Sequence, residues 1–413
     1  MAATAATLEV LVMRPYSLAL VFACSGLSLA LVACSGDDKS DSAASETATT
    51  GTAETTTDDA VTDDATTESS GSASEGTSDG TTTGTTTDGT TSTTGTTDPT
   101  EGWDMAYCGQ EPPPGAELAP PLPTYGGGGT CPTIELGFLD GDNTAPNEIM
   151  TMGGPRRFAG RAPQEIADGE RLPVIFMWHW LGGDAHGFYE RSEVTAAAEQ
   201  LRFIAVIPES KDDILFKWPF TSLDTQERLE EEFAFFDDML ACVGDLFPVD
   251  ENCVSSTGVS AGALFTAQLA GGRGQHLASI MSLSGGVGGV VKPWTPSPHR
   301  MPAMVLWGGR DDFCVAVDFA TASKELEKGL TDGNHFILEC IHNCAHSTPP
   351  FDVPMGLPTF APLWMFALDH PYWLKDGESP YTQMGLPFEY PEWCSIGVGQ
   401  ATERVGECAP SEC

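Results

Sequence analysis

The sequence predicts an α/β fold in which helices cover both faces of a mostly parallel sheet. From Leu172 onward, short apolar runs alternate with segments of helical periodicity, as in parallel strands joined by crossover helices. The runs are apolar almost throughout, which is typical of strands buried on both faces. The chain shows no internal repeat of the kind that builds solenoids or propellers.

Six apolar runs are predicted to be strands, and four further segments are predicted to be helices. The strands cover residues 174–178, 203–208, 253–257, 279–284, 303–307 and 335–340. The helices cover residues 194–202, 225–243, 261–270 and 317–330. In the second helix, Leu229, Phe233, Phe236 and Leu240 recur at steps that place them on one face.

The segments that flank this core are rich in Pro, Gly and Cys. Residues 102–171 include "CGQEPPPGAELAPPLPTYGGGGTC", which is too rich in Pro and Gly for regular structure. We expect a strap pinned by disulfides, with a strand or two before the main sheet, and a similar tail after Lys375. Residues 102–413 are therefore predicted to be one folded domain with its core at about 172–374.

Residues 35–101 are predicted to be a disordered tether. They are almost all Thr, Ser, Gly, Asp, Ala and Glu, without an aromatic residue. Such a segment cannot bury enough apolar surface to offset the entropy of ordering it. Its acidic side chains, opposed by Lys39 alone, repel one another and extend the chain.

Residues 1–34 are predicted to be an export signal. An apolar run over residues 16–33 follows Arg14 and ends in small residues. The end of the run, Leu31-Val32-Ala33-Cys34-Ser35, resembles the lipobox of bacterial lipoproteins, which implies Cys34 as the lipid-bearing first residue. Since no basic residue precedes Arg14, Met13 is a second candidate for the start. We expect a protein anchored in the bacterial envelope, at the outer membrane or cell surface; an ordinary cleaved signal and secretion are the alternative.

The net charge of −40 limits the partners of the protein. It argues against nucleic acid, because phosphate backbones are bound by clustered Lys and Arg. It also disfavours adsorption to anionic surfaces, so membrane contact is expected through the lipid anchor only.

The cysteine count indicates a disulfide framework. Ten cysteines remain beyond Cys24 in the signal and Cys34 at the anchor, and an even number in an exported chain is typical of disulfide-bonded proteins. The favoured pair is Cys242–Cys253, because it closes a short loop between a helix end and the next strand.

Two serines lie in G-x-S-x-G sequences, the pattern of the nucleophile turn in serine hydrolases. Ser78 lies in the acidic tether and is expected to be linker. Ser260 follows the β-branched run "CVSST" and precedes the helical run "AGALFTAQLA". A strand, a sharp turn and a helix are the context that this nucleophile requires, so Ser260 is the predicted nucleophile. The N–H of Ala261, at the start of the helix, is the predicted first oxyanion donor.

A serine nucleophile needs a base and an orienting acid, which in this architecture follow it in the order acid, then His. Asp311 and Asp312 both follow the strand at 303–307, and His342 and His346 both follow the strand at 335–340. His346 is favoured, because a longer loop can carry its ring over the sheet edge.

The loop after the first central strand, "HWLGGDAHG", is predicted to supply the second oxyanion donor. The donor is the N–H of Trp180 or Leu181. His179 precedes the nucleophile and is expected to support the loop rather than to act as a base.

A zinc site is an alternative interpretation of the region after residue 339. Cys340, His342, Cys344 and His346 alternate, and all are zinc-ligand types. On a straight strand these ligands spread over roughly 20 Å and cannot close one tetrahedron. No metal is therefore predicted.

Several motifs in this order resemble the α/β-hydrolase superfamily, and more narrowly the esterase/polyhydroxybutyrate depolymerase family, which includes feruloyl and acetylxylan esterases. The resemblance covers about 172–350 and rests on "LPVIFMWHWLGGDA", "LRFIAVIPES", "FFDDMLACVGDLFPVDENCVSSTGVSAGA", "VLWGGRDD" and "CAHSTP". It implies the α/β-hydrolase fold and ester hydrolysis through an acyl-enzyme without a cofactor. The family pattern places the acid three residues beyond the first Gly, which implies Ser260, Asp311 and His346 as the triad.

Two features depart from the family. The chain has His179-Trp180 where members usually have His-Gly, which bears on the second oxyanion donor. Its Thr-rich segment joins the anchor to the folded domain and leads to no separate binding domain, which favours soluble esters or oligomers over crystalline polyester.

The predicted function is that of a surface-tethered serine esterase, with feruloyl or acetyl esters or hydroxyalkanoate oligomers as substrates. One alternative is a serine peptidase of the prolyl-oligopeptidase kind. Another is a non-catalytic binding or adhesion lipoprotein on a hydrolase scaffold.

Overall fold

The computed structural model describes residues 107–374, 377–410 and 413. All of them lie in one compact unit, Thr91–Cys413. The predicted export signal, the predicted lipid anchor at Cys34 and the predicted tether with Ser78 lie outside the described residues. In the described part of the chain, no helix is both long enough and apolar enough to cross a membrane.

The described residues contain eleven strands and seven α-helices. The strands are β1 (Asn147–Thr151), β2 (Gly154–Arg161), β3 (Leu172–Trp178), β4 (Ile204–Pro208), β5 (Val249–Val259), β6 (Ser279–Leu283), β7 (Ala303–Trp307), β8 (Phe313–Cys314), β9 (Val317–Asp318), β10 (Ile337–Ile341) and β11 (Cys394–Ile396). The helices are α1 (Ala185–Arg191), α2 (Val194–Leu201), α3 (Gln226–Leu246), α4 (Ala261–Arg273), α5 (Phe319–Asp332), α6 (Ala361–Asp369) and α7 (Tyr381–Met384).

Nine strands form one sheet in the order β1-β2-β4-β3-β5-β6-β7-β10-β11. The six strands from β4 to β10 run parallel, while β1, β2 and β11 add antiparallel edges. Helices α3, α4 and α5 pack their apolar residues on one face, and α1, α2 and α6 pack theirs on the other. The predicted α/β fold, with a mostly parallel sheet covered on both faces, is confirmed.

The predicted strands correspond to β3–β7 and β10, and the predicted helices to α2–α5. Helix α6 was not predicted, because its sequence "APLWMFALD" is apolar up to the final Asp369 and every residue of it is buried. A helix surrounded by core has no polar face, so it shows no helical period. Strand β11 is only three residues long and pairs antiparallel with β10.

Five disulfides join the flanking segments to the sheet and its loops: Cys108–Cys253, Cys131–Cys242, Cys314–Cys413, Cys340–Cys394 and Cys344–Cys408. The predicted Cys242–Cys253 bond is wrong. Each of these two cysteines instead pairs with one in the Pro-rich strap, 111 or 145 residues away in sequence. A disulfide needs its two Cα atoms within about 7 Å, and the folded strap meets that condition. The predicted strap pinned by disulfides is therefore confirmed, with one bond to β5 and one to α3.

Candidate active site

Ser260 occupies a strained turn between β5 and α4. Its backbone has φ 55° and ψ −118°, a conformation that non-glycine residues adopt only when the surrounding structure enforces it. Its N–H donates to Leu283 O at 2.9 Å, which ties the turn to β6. A Cβ on Gly262 would lie 2.0 Å from the Trp178 carbonyl oxygen, and one on Gly258 would lie 2.3 Å from Gly262. Both glycines are therefore required for strand and helix to meet at the turn.

His346 connects the serine to a buried acid. Its Nε2 lies 2.8 Å from Ser260 Oγ, and its Nδ1 lies 2.6 Å from Asp312 Oδ1. A carboxylate only accepts, so Nδ1 donates to Asp312 and Nε2 is left to accept from the serine hydroxyl. The imidazole stacks on Phe319 at 4.1 Å between ring centroids. This contact holds the ring in plane between its two partners.

Asp312, and not Asp311, is the acid that the fold brings to His346. Asp312 is fully buried, and its Oδ2 accepts from Ser284 Oγ and from the N–H of Gly308, both at 2.8 Å. Asp311 points to solvent with 74% of its side chain exposed and pairs with Arg310. The 3₁₀ turn over Gly309–Asp311 thus leaves the side chain of Asp311 in solvent and that of Asp312 against His346. The prediction of Asp311 is wrong because the family spacing does not determine how this turn rotates its carboxylates.

The sheet order, the Ser260 turn and the chain order serine, aspartate, histidine together match one architecture. The chain has the α/β-hydrolase fold. In this fold the nucleophile stands at the carboxyl end of a central strand, as Ser260 does at the end of β5.

The loop after β3 is held by His179, which is fully buried. Its Nδ1–H donates to Trp180 O at 2.9 Å, and its Nε2 accepts from Ser210 N at 3.3 Å. Burial lowers the pKa of His179 to about 4, so the ring is neutral at pH 7 and keeps this tautomer. Trp180 O also accepts from Gly183 N. In a trans peptide the N–H is opposite to the C=O, so the N–H of Leu181 is directed away from the His179 ring.

A cleft of about 400 Å³ opens beside Ser260 and His346. Its walls are mainly apolar and aromatic: Trp180, Leu181, Phe188, Phe351, Phe360 and Trp364. The Cys314–Cys413 disulfide also lines it. Loops from the carboxyl ends of the parallel strands, together with α6, therefore build a concave apolar site at the serine.

The four residues of the zinc alternative do not come together as ligands. Cys340 bonds to Cys394 and Cys344 bonds to Cys408, so neither can offer a thiolate. His346 contacts Ser260 and Asp312, while His342 is buried in the wall of the cleft.

Two buried carboxyl groups lie near each other on α5 and β10. Glu327 on α5 accepts from Trp307 Nε1 at 3.2 Å. Glu339 on β10 accepts from the N–H groups of Gly399 and Ala401 at 2.8 and 3.1 Å. Burial, and then the nearby Glu339, raise the pKa of Glu327 to about 7.

We expect Glu327 to make the stability of the fold depend on pH. Its pKa is higher in the folded state than in the unfolded state, so the folded protein binds more protons between about pH 4.5 and 7, and the free energy of unfolding falls as pH rises through that window. Glu327→Gln keeps the acceptor for Trp307 and should raise the free energy of unfolding at pH 8 by up to about 3 kcal/mol. Urea unfolding between pH 5 and 8 measures this pH dependence of the free energy of unfolding. Glu325→Gln, at an exposed position of the same helix, is the control, and equal slopes for all three proteins would contradict the prediction.

Comparison with known proteins gives structural matches only. No protein-family model matches the chain, and no curated protein matches its sequence. Among solved structures, the chain is similar to one described as native sOPH, with 17% identity and a TM-score of 0.49 over 66% of this chain and 99% of that one. It is also similar to a ferulic acid esterase, with 13% identity and a TM-score of 0.39 over 49% and 89% of the two chains. An acetyl xylan esterase from Aspergillus awamori has 17% identity and a TM-score of 0.35 over 43% and 75%. The assignment of the fold rests on the sheet order and the Ser260 turn.

Proposed function

We propose that this protein is a serine hydrolase that cleaves carboxylic esters through an acyl-enzyme. The observation that carries the proposal is the continuous hydrogen-bond chain from Ser260 through His346 to the buried Asp312. A serine hydroxyl becomes an effective nucleophile when an adjacent base removes its proton and a third group orients the base. Here the three groups meet at hydrogen-bonding distances beside a cleft.

In the first step, Ser260 Oγ attacks the ester carbonyl while His346 Nε2 takes its proton. Asp312 accepts from Nδ1–H and stabilises the imidazolium that forms. Ser284 and the N–H of Gly308 hold the second carboxylate oxygen, so Asp312 stays in place through the reaction. The proton on His346 then passes to the leaving alcohol oxygen as the carbonyl–oxygen bond breaks, which leaves the acyl group on Ser260.

The tetrahedral intermediate carries a negative oxygen that needs N–H donors. Ala261 is the first residue of α4, so its N–H has no acceptor within the helix. We propose the N–H of Leu181 as the second donor, because His179 and Gly183 both bind the Trp180 carbonyl of the same peptide and so fix its orientation. The N–H of Trp180 is the alternative, since Trp218 Nε1 fixes the His179 carbonyl of that peptide in the same way. Water, activated by His346, then attacks the acyl-enzyme and releases the acid.

The apolar cleft supports a substrate with an apolar or aromatic acyl group. Esters of feruloyl or acetyl type and hydroxyalkanoate oligomers are the proposed substrates, and the reaction requires no cofactor. Five disulfides fit folding in an oxidising compartment. We therefore also propose that the protein is exported and tethered through a lipid on Cys34.

Fluorophosphonate labelling of the full chain tests the proposal, because the probe reacts with an activated serine. We expect the wild type to be labelled and Ser260→Ala to be unlabelled and inactive on p-nitrophenyl esters. Ser78→Ala is the matched control, since Ser78 occupies the same five-residue pattern, and it should label like the wild type. A folded wild type that neither labels nor hydrolyses any ester would overturn the proposal and favour a binding protein.

A further inference from the structure

The flat face of the His346 ring is covered by an aromatic side chain. Phe319 stacks on the imidazole with 4.1 Å between ring centroids and 26° between ring planes. Ser260 and Asp312 bind the two nitrogens at the edge of the ring, so Phe319 contacts a part of the base that neither of them occupies. Phe319 is only 3% exposed, which places this contact inside the protein.

The position of Phe319 is fixed by the helix that it begins. It is the first residue of the fourteen-residue helix α5. The N–H groups of Phe319 and Ala320 both donate to the backbone carbonyl of Asp312, at 2.9 and 3.2 Å. The residue that orients the base and the residue that stacks on it are therefore joined through the backbone, and α5 holds the phenyl ring over His346.

His346 becomes positively charged in the proposed mechanism, at a place that water reaches poorly. Its side chain is 10% exposed, so few water molecules can hydrate the imidazolium, and the Asp312 carboxylate faces only one edge of the ring. The face of a phenyl ring carries partial negative charge. It attracts a cation within about 6 Å of its centroid, and the attraction is stronger where water is excluded. Phe319 therefore attracts the imidazolium more strongly than the neutral imidazole.

We propose that Phe319 lowers the barrier to ester hydrolysis by stabilising the His346 imidazolium through the face of its ring. The inference rests on the proposed esterase function and adds a second source of stabilisation to that of Asp312. The proton passes from Ser260 Oγ to His346 Nε2 as Oγ attacks the carbonyl, and Phe319 exchanges no atom or proton in this step. Because Phe319 acts through His346, it is a positioning residue rather than a catalytic one.

Fluorinated phenylalanines placed at position 319 of the full chain test the electrostatic part of this contact. The series of 4-fluoro-, 3,4,5-trifluoro- and pentafluorophenylalanine progressively removes and then reverses the negative charge on the ring face, with little change in ring size. We expect kcat/KM for a p-nitrophenyl ester and the rate of fluorophosphonate labelling to fall stepwise along the series. With pentafluorophenylalanine both should reach about a tenth of the wild-type values.

The pH dependence of this loss distinguishes charge stabilisation from displacement of the base. A ring that is neutral before the reaction gains the contact when it takes the proton, so the full loss should appear at pH 9. A ring that is already protonated has the contact from the start, so the loss in kcat/KM should disappear towards pH 5. Asp312 bonds to the ring and His342 acts on it electrostatically. Each variant is compared with the wild type at the same pH, so the ionisation of these neighbours is common to both.

Pentafluorophenylalanine at position 236 is the matched control. Phe236 on α3 is fully buried, and its ring contacts Phe176 at 4.6 Å between centroids instead of His346. We expect wild-type kinetics for this protein. Phe319→Leu, which removes the ring face but keeps an apolar side chain, should be slowed at pH 9 and approach the wild type towards pH 5. Urea unfolding establishes that each protein is folded.

Three outcomes overturn the inference. Equal rates along the fluorinated series would show that Phe319 packs against His346 without stabilising its charge. A loss of the same size at pH 5 and at pH 9 would show that the substitutions displace the base. If the folded wild type hydrolyses no ester and is not labelled by fluorophosphonate, the proposed function fails and this inference fails with it.

Discussion

Asp312→Asn is expected to lower kcat for ester hydrolysis by about ten-thousand-fold, because an amide in place of the carboxylate favours the wrong tautomer of the histidine. In the structure His346 Nδ1 donates to Asp312 at 2.6 Å. If the Asn side-chain oxygen accepts from His346 Nδ1–H, it has no negative charge with which to stabilise the imidazolium. If the Asn amide donates to Nδ1, the proton of His346 must be on Nε2, where it prevents deprotonation of Ser260. Steady-state kinetics with a p-nitrophenyl ester measures the loss.

Asp311→Asn is the matched control for this experiment. Asp311 is the adjacent residue and has the same charge, but its side chain is mostly exposed and pairs with Arg310. We expect its kcat to stay within a few-fold of wild type, since the pair lies in solvent and contributes little. Inactivation by Asp311→Asn together with an active Asp312→Asn would show that the acid is Asp311, as the family spacing implies.

Gly262→Ala is expected to disrupt the site by steric overlap. The added methyl would lie 2.0 Å from the carbonyl oxygen of Trp178, and backbone cannot rotate away as a side chain can. Helix α4 and strand β3 must move apart, which should lower the free energy of unfolding by about 3 kcal/mol. The same movement displaces Ser260 from His346 and should slow fluorophosphonate labelling by about a hundredfold.

Gly160→Ala separates this effect from the general cost of replacing a buried glycine. A Cβ on Gly160 in β2 would meet Ile134 at 3.4 Å, an ordinary contact with a side chain. We expect urea unfolding and labelling close to those of the wild type for this variant. A Gly262→Ala protein with wild-type stability and labelling rate would show that the turn tolerates a side chain, contrary to the geometry.

The periodicity of the chain was sufficient to predict the sheet and most of the helices. Strands β3 and β7 are short and apolar because helices cover both of their faces, and that burial is already visible in their composition. Helix α3 shows its buried face through regularly spaced Leu and Phe. Helix α6 was not predicted because its nine residues are all buried and the first eight are apolar, so the sequence shows no polar face that would mark a helical period.

In the candidate site, too, some residues could be predicted from neighbouring sequence and others could not. Ser260 could be predicted because the strand, the turn glycines and the helix lie next to it in sequence. The acid could not, because Asp311 and Asp312 are adjacent, of the same type and after the same strand, and only the rotation of one 3₁₀ turn distinguishes them. The position of Trp364 in the wall of the cleft carried no sequence signal, since the cleft is built by segments that are distant in the chain.

The sequence by itself determined the α/β class, the succession of the central strands and helices along the chain, the strand–turn–helix at Ser260 and the even set of cysteines, because each of these is encoded in neighbouring residues. Tertiary structure alone decided which aspartate meets His346, how the cysteines pair and which groups line the cleft. Those outcomes depend on distances of a few ångströms between residues that are far apart in sequence or that differ only in the direction of a turn. Hydrogen bonds and disulfides form only within such distances.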